Sequence, residues 1–462
     1  MPDRRGRRVG GDSSRGHAGG VIGLPVDLDE HLFRRESGRM VAALTRIFGV
    51  HNLALAEDVV QDAFCRALDV WSVRGIPDNP AAWLMTTAKN RALDVIRRDR
   101  TARTFAPELG RLLETEWTIA SVVDEAFAAH AIRDEQLRMM FSCCHPRLPE
   151  ESQVALILNI LCGFGAAEIA GAFLAGGAAI EKRISRGKKV LARARRLFDL
   201  SDAEFTQRLS AVRRALYLLF NEGYHGASAE SAVRAELCAE AMRLTALLRE
   251  YPPAATPETD ALASLMCLHA ARLPARLDAA GDLHPLFEQD RSRWDAGLVA
   301  EGLTLLERSA AGRAVTAYHV EAAIAAAHVS APTTDETDWP LIVSLYDRLM
   351  TIAPSPVVEL NRAIAVGERD GADRGIEALR AIHDRERLDR YPFYPAAMGE
   401  LELRRGNPAA ARALFTAALA LARNPTERRF LEKRVRACGD EPSAPQVEKK
   451  SVRRAPARTS KR

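Results

Sequence analysis

Apolar residues recur at intervals of three and four along most of this chain, and the alternating runs that a half-buried strand needs are scarce. That period restricts the chain to helices packed on helices. Residues 31–49 set Leu32, Met40, Leu44, Ile47 and Phe48 near one face, and residues 54–73 do the same with Val59, Val60, Phe64, Leu68 and Trp71. Gly75-Ile76-Pro77-Asp78-Asn79-Pro80 breaks the pattern, and a third helix is predicted from Ala81 to about Arg98. Helical segments return at 133–144, 150–162, 166–174 and 178–198. From 205 onward the pattern stays helical, interrupted by Pro252-Pro253, Pro274, Pro332, Pro354 and Pro356. The predicted class is all-α: two small helical domains followed by a long helical array.

Composition bounds the function classes. The 462 residues suggest about three domains. Hydrophobic residues at 47% can fill a sizeable core, and no apolar run reaches the roughly 18 residues of a membrane span. The basic start, MPDRRGRRVGGDSSRGHAGG, has no apolar signal core, so a solvated arm is expected. Seven Cys is too sparse for a disulfide scaffold, which points to a reducing cytoplasm. Cys143, Cys144 and His145 invite a metal reading. Adjacent helical residues point about 100° apart, however, and no second Cys pair exists. Small buried thiols are expected there, with no metal and no cofactor.

The net charge of +4 is a cancellation. Residues 1–198 carry +5, residues 199–440 carry −6 and residues 441–462 carry +5. A basic front and tail therefore flank an acidic body.

Two basic helices stand out in the front. In 178-AAIEKRISRGKKVLARARRLF-198, eight basic residues lie between Glu181 and Phe198, beside an apolar stripe of Ile180, Ile184, Val190, Leu191 and Leu197. A short helix precedes it, with Ala167, Ile169, Ala170 and Phe173 placed to pack on it. Short helix, tight turn, basic helix is the pattern that lays a second helix in the major groove. The second patch is 79-NPAAWLMTTAKNRALDVIRRDR-100, where Trp83, Leu84, Ala88, Leu93 and Ile96 share one face. Amide and basic groups beside an aromatic suit a strand with unpaired bases.

Together, AEDVVQDAFCRALDVW and NPAAWLMTTAKNRALDVIRRDR resemble the first conserved domain of bacterial extracytoplasmic-function sigma factors of the sigma-70 family. LPEESQVALILNILCGFGAAEIAGAF and IEKRISRGKKVL resemble their promoter-reading helix-turn-helix domain. FSCCHPRLP, LFNEGYHGAS, LCAEAMRL, ARLDAAGDLHPLFEQDRSRWD, TDWPLIVSLYD and PSPVVELNRAIAV are similar to the subgroup with a long C-terminal, tetratricopeptide-like extension. The resemblance covers about 30–435. Ala411, Phe415 and Ala418 fit the core of such a repeat, and Gly371 and Gly406 lie about one repeat period of 34 residues apart, so hairpins are expected over roughly 357–383 and 392–423.

The resemblance implies partners and roles. The partners are core RNA polymerase and promoter DNA, with a protein partner for the repeats and no membrane; the location is the cytoplasm, at the nucleoid. Asp58, Gln61, Asp62 and Phe64 match the helix that docks on the polymerase β′ clamp. Asn79, Trp83, Lys89, Asn90, Arg91, Asp94, Arg97 and Arg98 fall in the segment that melts and reads the minus-ten element. Ala179, Lys182, Arg183, Arg186, Lys188 and Lys189 lie in the helix facing the minus-35 element. The pattern departs in places. Gln153 and Asn159 are neutral where basic residues are expected, Ala166 and Ala167 replace polar residues, 175–179 is bare, and Glu181 repels phosphate.

The implied organisation is a disordered basic arm over 1–27, the first sigma domain over 28–100 and a linker over 101–130. A helix-turn-helix domain over 131–198 follows, then a helical extension over 199–350, repeats over 351–438 and a disordered basic tail over 439–462. The acidic extension is expected to regulate the front in cis. It is not expected to be an enzyme: His225, His269, His284, His319 and His328 show no H-E-x-x-H spacing. The competing readings are a free-standing helix-turn-helix regulator and a repeat scaffold with degenerate DNA-binding domains.

Overall fold

The computed structural model describes residues 26–98, 129–173, 176–193, 202–225, 233–278 and 281–439. Of the arm expected over 1–27, residues 1–25 lie outside the described residues while Val26 and Asp27 already begin the first helix; nearly all of the linker, Leu197 and the tail from 440 also lie outside. Within them the secondary structure is helical, and the one pairing of extended backbone is an isolated antiparallel bridge between Leu277 and Leu283. The chain is all-α.

It divides into two compact units. The first comprises 1–136 with 161–163, and the second 137–160 with everything from 164 onward. This division differs from the one read from the sequence, because the expected helix-turn-helix domain and the extension share the second unit.

The first unit is built on three helices: α1 (Val26–Phe48), α2 (Leu53–Arg74) and α3 (Pro80–Arg98). Each buries a stripe at helical spacing. Met40, Leu44, Ile47 and Phe48 are buried on α1, Ala56, Val60, Ala63, Ala67 and Trp71 on α2, and Leu84, Ala88, Ala92 and Ile96 on α3. Leu68, expected in the α2 stripe, is 43% exposed. The seam runs through its neighbour Ala67, and one residue turns the side chain about 100° out of it. Two glycines end helices at positive φ, Gly49 after α1 and Gly75 after α2, a conformation that a β-carbon disfavours. The breaker at 75–80 therefore acts as read, and Pro80 opens α3, where its missing N–H costs nothing.

The second unit begins with the end of α4 (Ala129–Cys143), then α5 (Glu150–Ile160), α6 (Ala166–Phe173) and α7 (Gly177–Arg193). Helix α8 (Asp202–His225) packs on α5. The Phe141 and Phe205 rings stack at 4.8 Å, Arg208 donates to the Phe141 carbonyl at 3.1 Å, and Arg214 pairs with Glu150 at 3.0 Å. An aromatic pair contributes about 1 kcal/mol beyond its burial. These contacts join the expected reading domain to the extension.

Further helices follow in chain order, each packed on neighbours in the series: α9 (Ala235–Glu250), α10 (Pro257–Ala270), α11 (Ala296–Ser309), α12 (Ala317–Ser330), α13 (Trp339–Ile352), α14 (Pro356–Asp370), α15 (Ala372–Arg380), α16 (Phe393–Arg404), α17 (Pro408–Ala420) and α18 (Pro425–Ala437). The prolines punctuate rather than break the array, since Pro257, Pro356, Pro408 and Pro425 each open a helix. Helices α14 and α15 pair through Gly371, and α16 and α17 through Gly406, both at positive φ. In the first of these pairs a β-carbon on Gly375 would come within 2.8 Å of the Gly367 Cα. The last helix returns to the middle of the array: Arg429 reaches Asp282 at 2.7 Å and Arg434 reaches Glu288 at 2.8 Å.

Candidate nucleic-acid interface

On α2 the exposed face carries Asp58, Gln61, Asp62, Leu68 and Asp69. It also carries Val73, 84% exposed. An acidic face with two uncovered aliphatic groups suits a partially basic, partially apolar partner helix. Asp62 accepts from Arg91 of α3 at 2.8 Å, an exposed carboxylate meeting a half-buried guanidinium, so the expected docking and DNA-reading faces meet at this pair. Phe64 is half-buried, with its ring 4.8 Å from that of Phe33. Phe33 in turn stacks on Trp71 at 5.8 Å. Phe64 therefore ties α1 to α2 and presents only part of its ring.

Helix α3 separates its faces by i+4 spacing. Leu84, Ala88, Ala92 and Ile96 are buried, while Ala82, Thr86, Asn90, Asp94 and Arg98 are exposed. The two series are two residues out of phase, about 200° of rotation, and so lie on opposite sides. Lys89 and Arg91 flank the exposed stripe, half-buried. The Arg97 side chain lies outside the described residues. Asn79 has a structural duty: its side-chain oxygen accepts from Ala82 N–H at 3.0 Å and caps the helix. Trp83 is half-buried, edge-on to Trp71 at 5.4 Å, which leaves one part of the indole to solvent at the start of the stripe.

The second basic helix repeats this geometry. Ile180, Ile184, Gly187 and Leu191 of α7 are buried. Lys182, Arg186, Lys189 and Arg193 are exposed at the same four-three-four spacing, shifted by two residues. Four cations therefore share one outward stripe. Gly187 lets α7 approach α5, since a β-carbon there would lie 2.6 Å from Leu156 Cδ1. Ala179 and Glu181 are also exposed. Lys188 is half-buried, and Arg183 is turned to Glu151 on α5 at 2.8 Å, which holds part of its charge within the protein. Of the residues expected on α6, Ile169 and Ala170 are buried, Ala167 is exposed, and the Phe173 side chain lies outside the described residues.

The neutral residues at 153 and 159 have a physical account. Gln153 donates to the His145 and Leu148 carbonyls at 3.1 and 2.8 Å, and Asn159 donates to the Phe164 carbonyl at 2.8 Å. Both amides are thus engaged with turn carbonyls of their own domain, where a basic side chain would have left these bonds unmade. Cys143 and Cys144 are buried, burial pushes the Cys144 thiol up, and His145 Nδ1 accepts from the Arg147 N–H at 3.1 Å. Among the described residues no group of three His, Cys, Asp or Glu is placed to hold a metal. No helix among them is long and apolar enough to cross a membrane.

Sequence reasoning missed Arg234. It pairs with Glu168 on α6 and Glu222 on α8, each at 3.2 Å, and its guanidinium lies 5.5 Å from the Phe164 ring centre. Its position just before a helical run gave no signal, because its partners lie 66 and 12 residues away.

Residues 32–102 match the model of sigma-70 region 2, and residues 208–310 match a family of unknown function, DUF6596. An uncharacterized protein of Rhizobium meliloti (strain 1021) is 38% identical over 413 residues, spanning 89% of this chain and 96% of the relative.

Proposed function

This chain carries a sigma-70 region 2 domain and belongs to one family with its Rhizobium meliloti relative; on that premise we propose that it is a promoter-specific initiation factor of the extracytoplasmic-function type. It binds core RNA polymerase through the Asp58–Asp62 face of α2 and promoter DNA through the exposed stripes of α3 and α7. The observation that carries the reading is the adjacency of those first two faces. Asp62 and Arg91 meet at 2.8 Å, so one small helical unit can hold polymerase and DNA at once. The α7 stripe supplies four phosphate-facing cations, a source of affinity more than of sequence reading. The chain acts as a factor and not as an enzyme.

The extension regulates the front in cis. Its charge of −6 over 199–440 opposes the +5 of residues 1–198 and the basic stripe of α7. Its first helix is bonded to α4 and α5 through Arg208 and Arg214, and Arg234 holds α6. Cutting the chain near 200 would strip Phe141 of its stacked partner, so single substitutions are the cleaner test of regulation. Arg183 held by Glu151 and the bare Ala178-Ala179 start of α7 favour a second reading, a repeat scaffold with weakened DNA binding.

A pull-down with core polymerase separates these readings. The full-length protein is expected to retain polymerase and Asp62→Arg to lose it, with helix content unchanged. Equal retention by both, or by neither, would contradict docking through α2.

A further inference from the structure

Positive charge accumulates at one buried place in the array. Arg272 follows α10, Arg276 ends the short helix Leu273–Arg276, and Arg291 opens the 3-10 turn Arg291–Arg293. Arg272 and Arg276 are each 7% exposed. Arg272 makes a long side-chain hydrogen bond, Nε to Gln289 Oε1 at 3.4 Å, and its neighbouring charges are Arg276 and Arg291. The Arg276 guanidinium lies over the Tyr224 ring at 4.0 Å, and its Nε is buried without a hydrogen bond. Arg272 and Arg291 approach the Trp294 ring at 5.8 and 4.9 Å, and the half-buried Arg291 also donates to the His328 and Ala331 carbonyls and to Thr337, so it adds charge at the edge of the cluster. Among the described residues no carboxylate is paired with Arg272 or Arg276.

Neutral donors converge on the same place. Tyr224 Oη, His269 Nδ1 and Trp294 Nε1 are buried without hydrogen-bond partners. The His269 ring stands 5.0 Å from that of Tyr224. Burial first, then Arg272 and Arg276, push His269 down to about 3, so it stays neutral and offers one N–H. Burying an unpaired cation or an unpaired polar group is costly, and an anion would relieve both costs at once. Arg272 and Arg276 therefore bring two buried positive charges beside three buried donors that have no protein acceptor.

We propose that this cluster binds a small, doubly charged oxyanion: phosphate, or the phosphoryl group of a monoester. Guanidinium forks match phosphate oxygens in paired hydrogen bonds. Tyr224 and His269 add donors, and two negative charges balance the cluster better than one. All six residues lie inside the stretch 208–310. The inference does not depend on the transcriptional reading.

Thermal melting and titration calorimetry of the full-length protein test it, with sodium phosphate and glycerol phosphate against sodium chloride at equal ionic strength. A ligand that binds the folded state raises the melting temperature with its concentration. Saturable binding of either phosphate, weakened at least tenfold in Arg276→Gln and unchanged in Arg313→Gln, supports the site. Whether the ester binds as well as the free ion distinguishes the two sources. Tyr224→Phe guards against misfolding. Without phosphate its melting temperature should equal or exceed the parent's, because the lost hydroxyl has no partner, yet its phosphate response should shrink several-fold. Absence of saturable binding for both probes, or equal responses in parent, Arg276→Gln and Tyr224→Phe, would overturn the proposal.

Discussion

Arg234 holds Glu168 in an ion pair of 3.2 Å, and this contact ties the short helix before the basic α7 to the extension. The same guanidinium reaches Glu222 of α8. One side chain therefore links the expected DNA-reading helices to the body that follows them. Because Arg234 is only 12% exposed, Arg234→Met should leave two poorly solvated carboxylates. The expected loss is about 2 kcal/mol. For a unit spanning 137–160 and 164–462 that is roughly 3 °C in melting temperature. A double-mutant cycle with Glu168→Gln should show coupling between the two sites, and additive effects would mean that the pair contributes nothing.

The stripe on α7 predicts a graded electrostatic effect. Changing Lys182, Arg186, Lys189 and Arg193 singly to Gln should weaken binding to any duplex about equally. Each should also reduce the slope of log affinity against log salt by about 0.9 where it meets a phosphate. Arg183→Gln should do less, since Glu151 already engages that charge. Fluorescence anisotropy over a salt series measures both quantities.

Glu321 predicts a pH dependence with a defined sign. Burial pushes its carboxyl up to about 7, while the Tyr217 hydroxyl, donating at 3.0 Å, partly opposes the shift. The folded chain therefore holds this proton more tightly than the unfolded chain does. The stabilisation is full below the ordinary carboxylate range and is lost as pH rises through about 7. Glu321→Gln should thus gain stability relative to the parent between pH 5 and 8. His269 and His328, both pushed down to about 3 by burial, act in the opposite direction below pH 6.5. Comparison of variant with parent isolates the Glu321 contribution, and parallel pH profiles would contradict it.

Gly375 offers a case where local propensity and packing disagree. Ala in place of a helical Gly gains about 1 kcal/mol by propensity alone. Here the added carbon would meet the Gly367 Cα at 2.8 Å, and a backbone atom cannot move aside cheaply. Gly375→Ala should therefore destabilise, by about 1–3 kcal/mol. Chemical denaturation decides the sign.

The helices were readable because their buried stripes keep a fixed period: 84, 88, 92 and 96 on α3, and 180, 184, 187 and 191 on α7. The same period sets the four outward cations of α7 on one side. Leu68 was misplaced because a stripe two residues wide does not tell its edge from its centre, and Ala67 occupies the seam instead. Asn79 and Phe64 were readable as positions but not as duties, since a cap and a ring contact depend on where the chain turns. The boundary expected near 198 rested on charge and resemblance. The contacts that cross it, Phe141 with Phe205 and Arg208 with the Phe141 carbonyl, join residues more than 60 positions apart. The Arg272–Arg276 cluster was hidden for the same reason, because its partners Tyr224 and Trp294 come from other elements.

The central claim is that this chain directs core RNA polymerase to a defined set of promoters. Mapping transcript starts made in vitro by purified core polymerase on genomic fragments, with and without the full-length protein, tests it most directly. The account predicts new starts that share an upstream sequence and disappear with Asp62→Arg. Starts identical to those of core polymerase alone would contradict it.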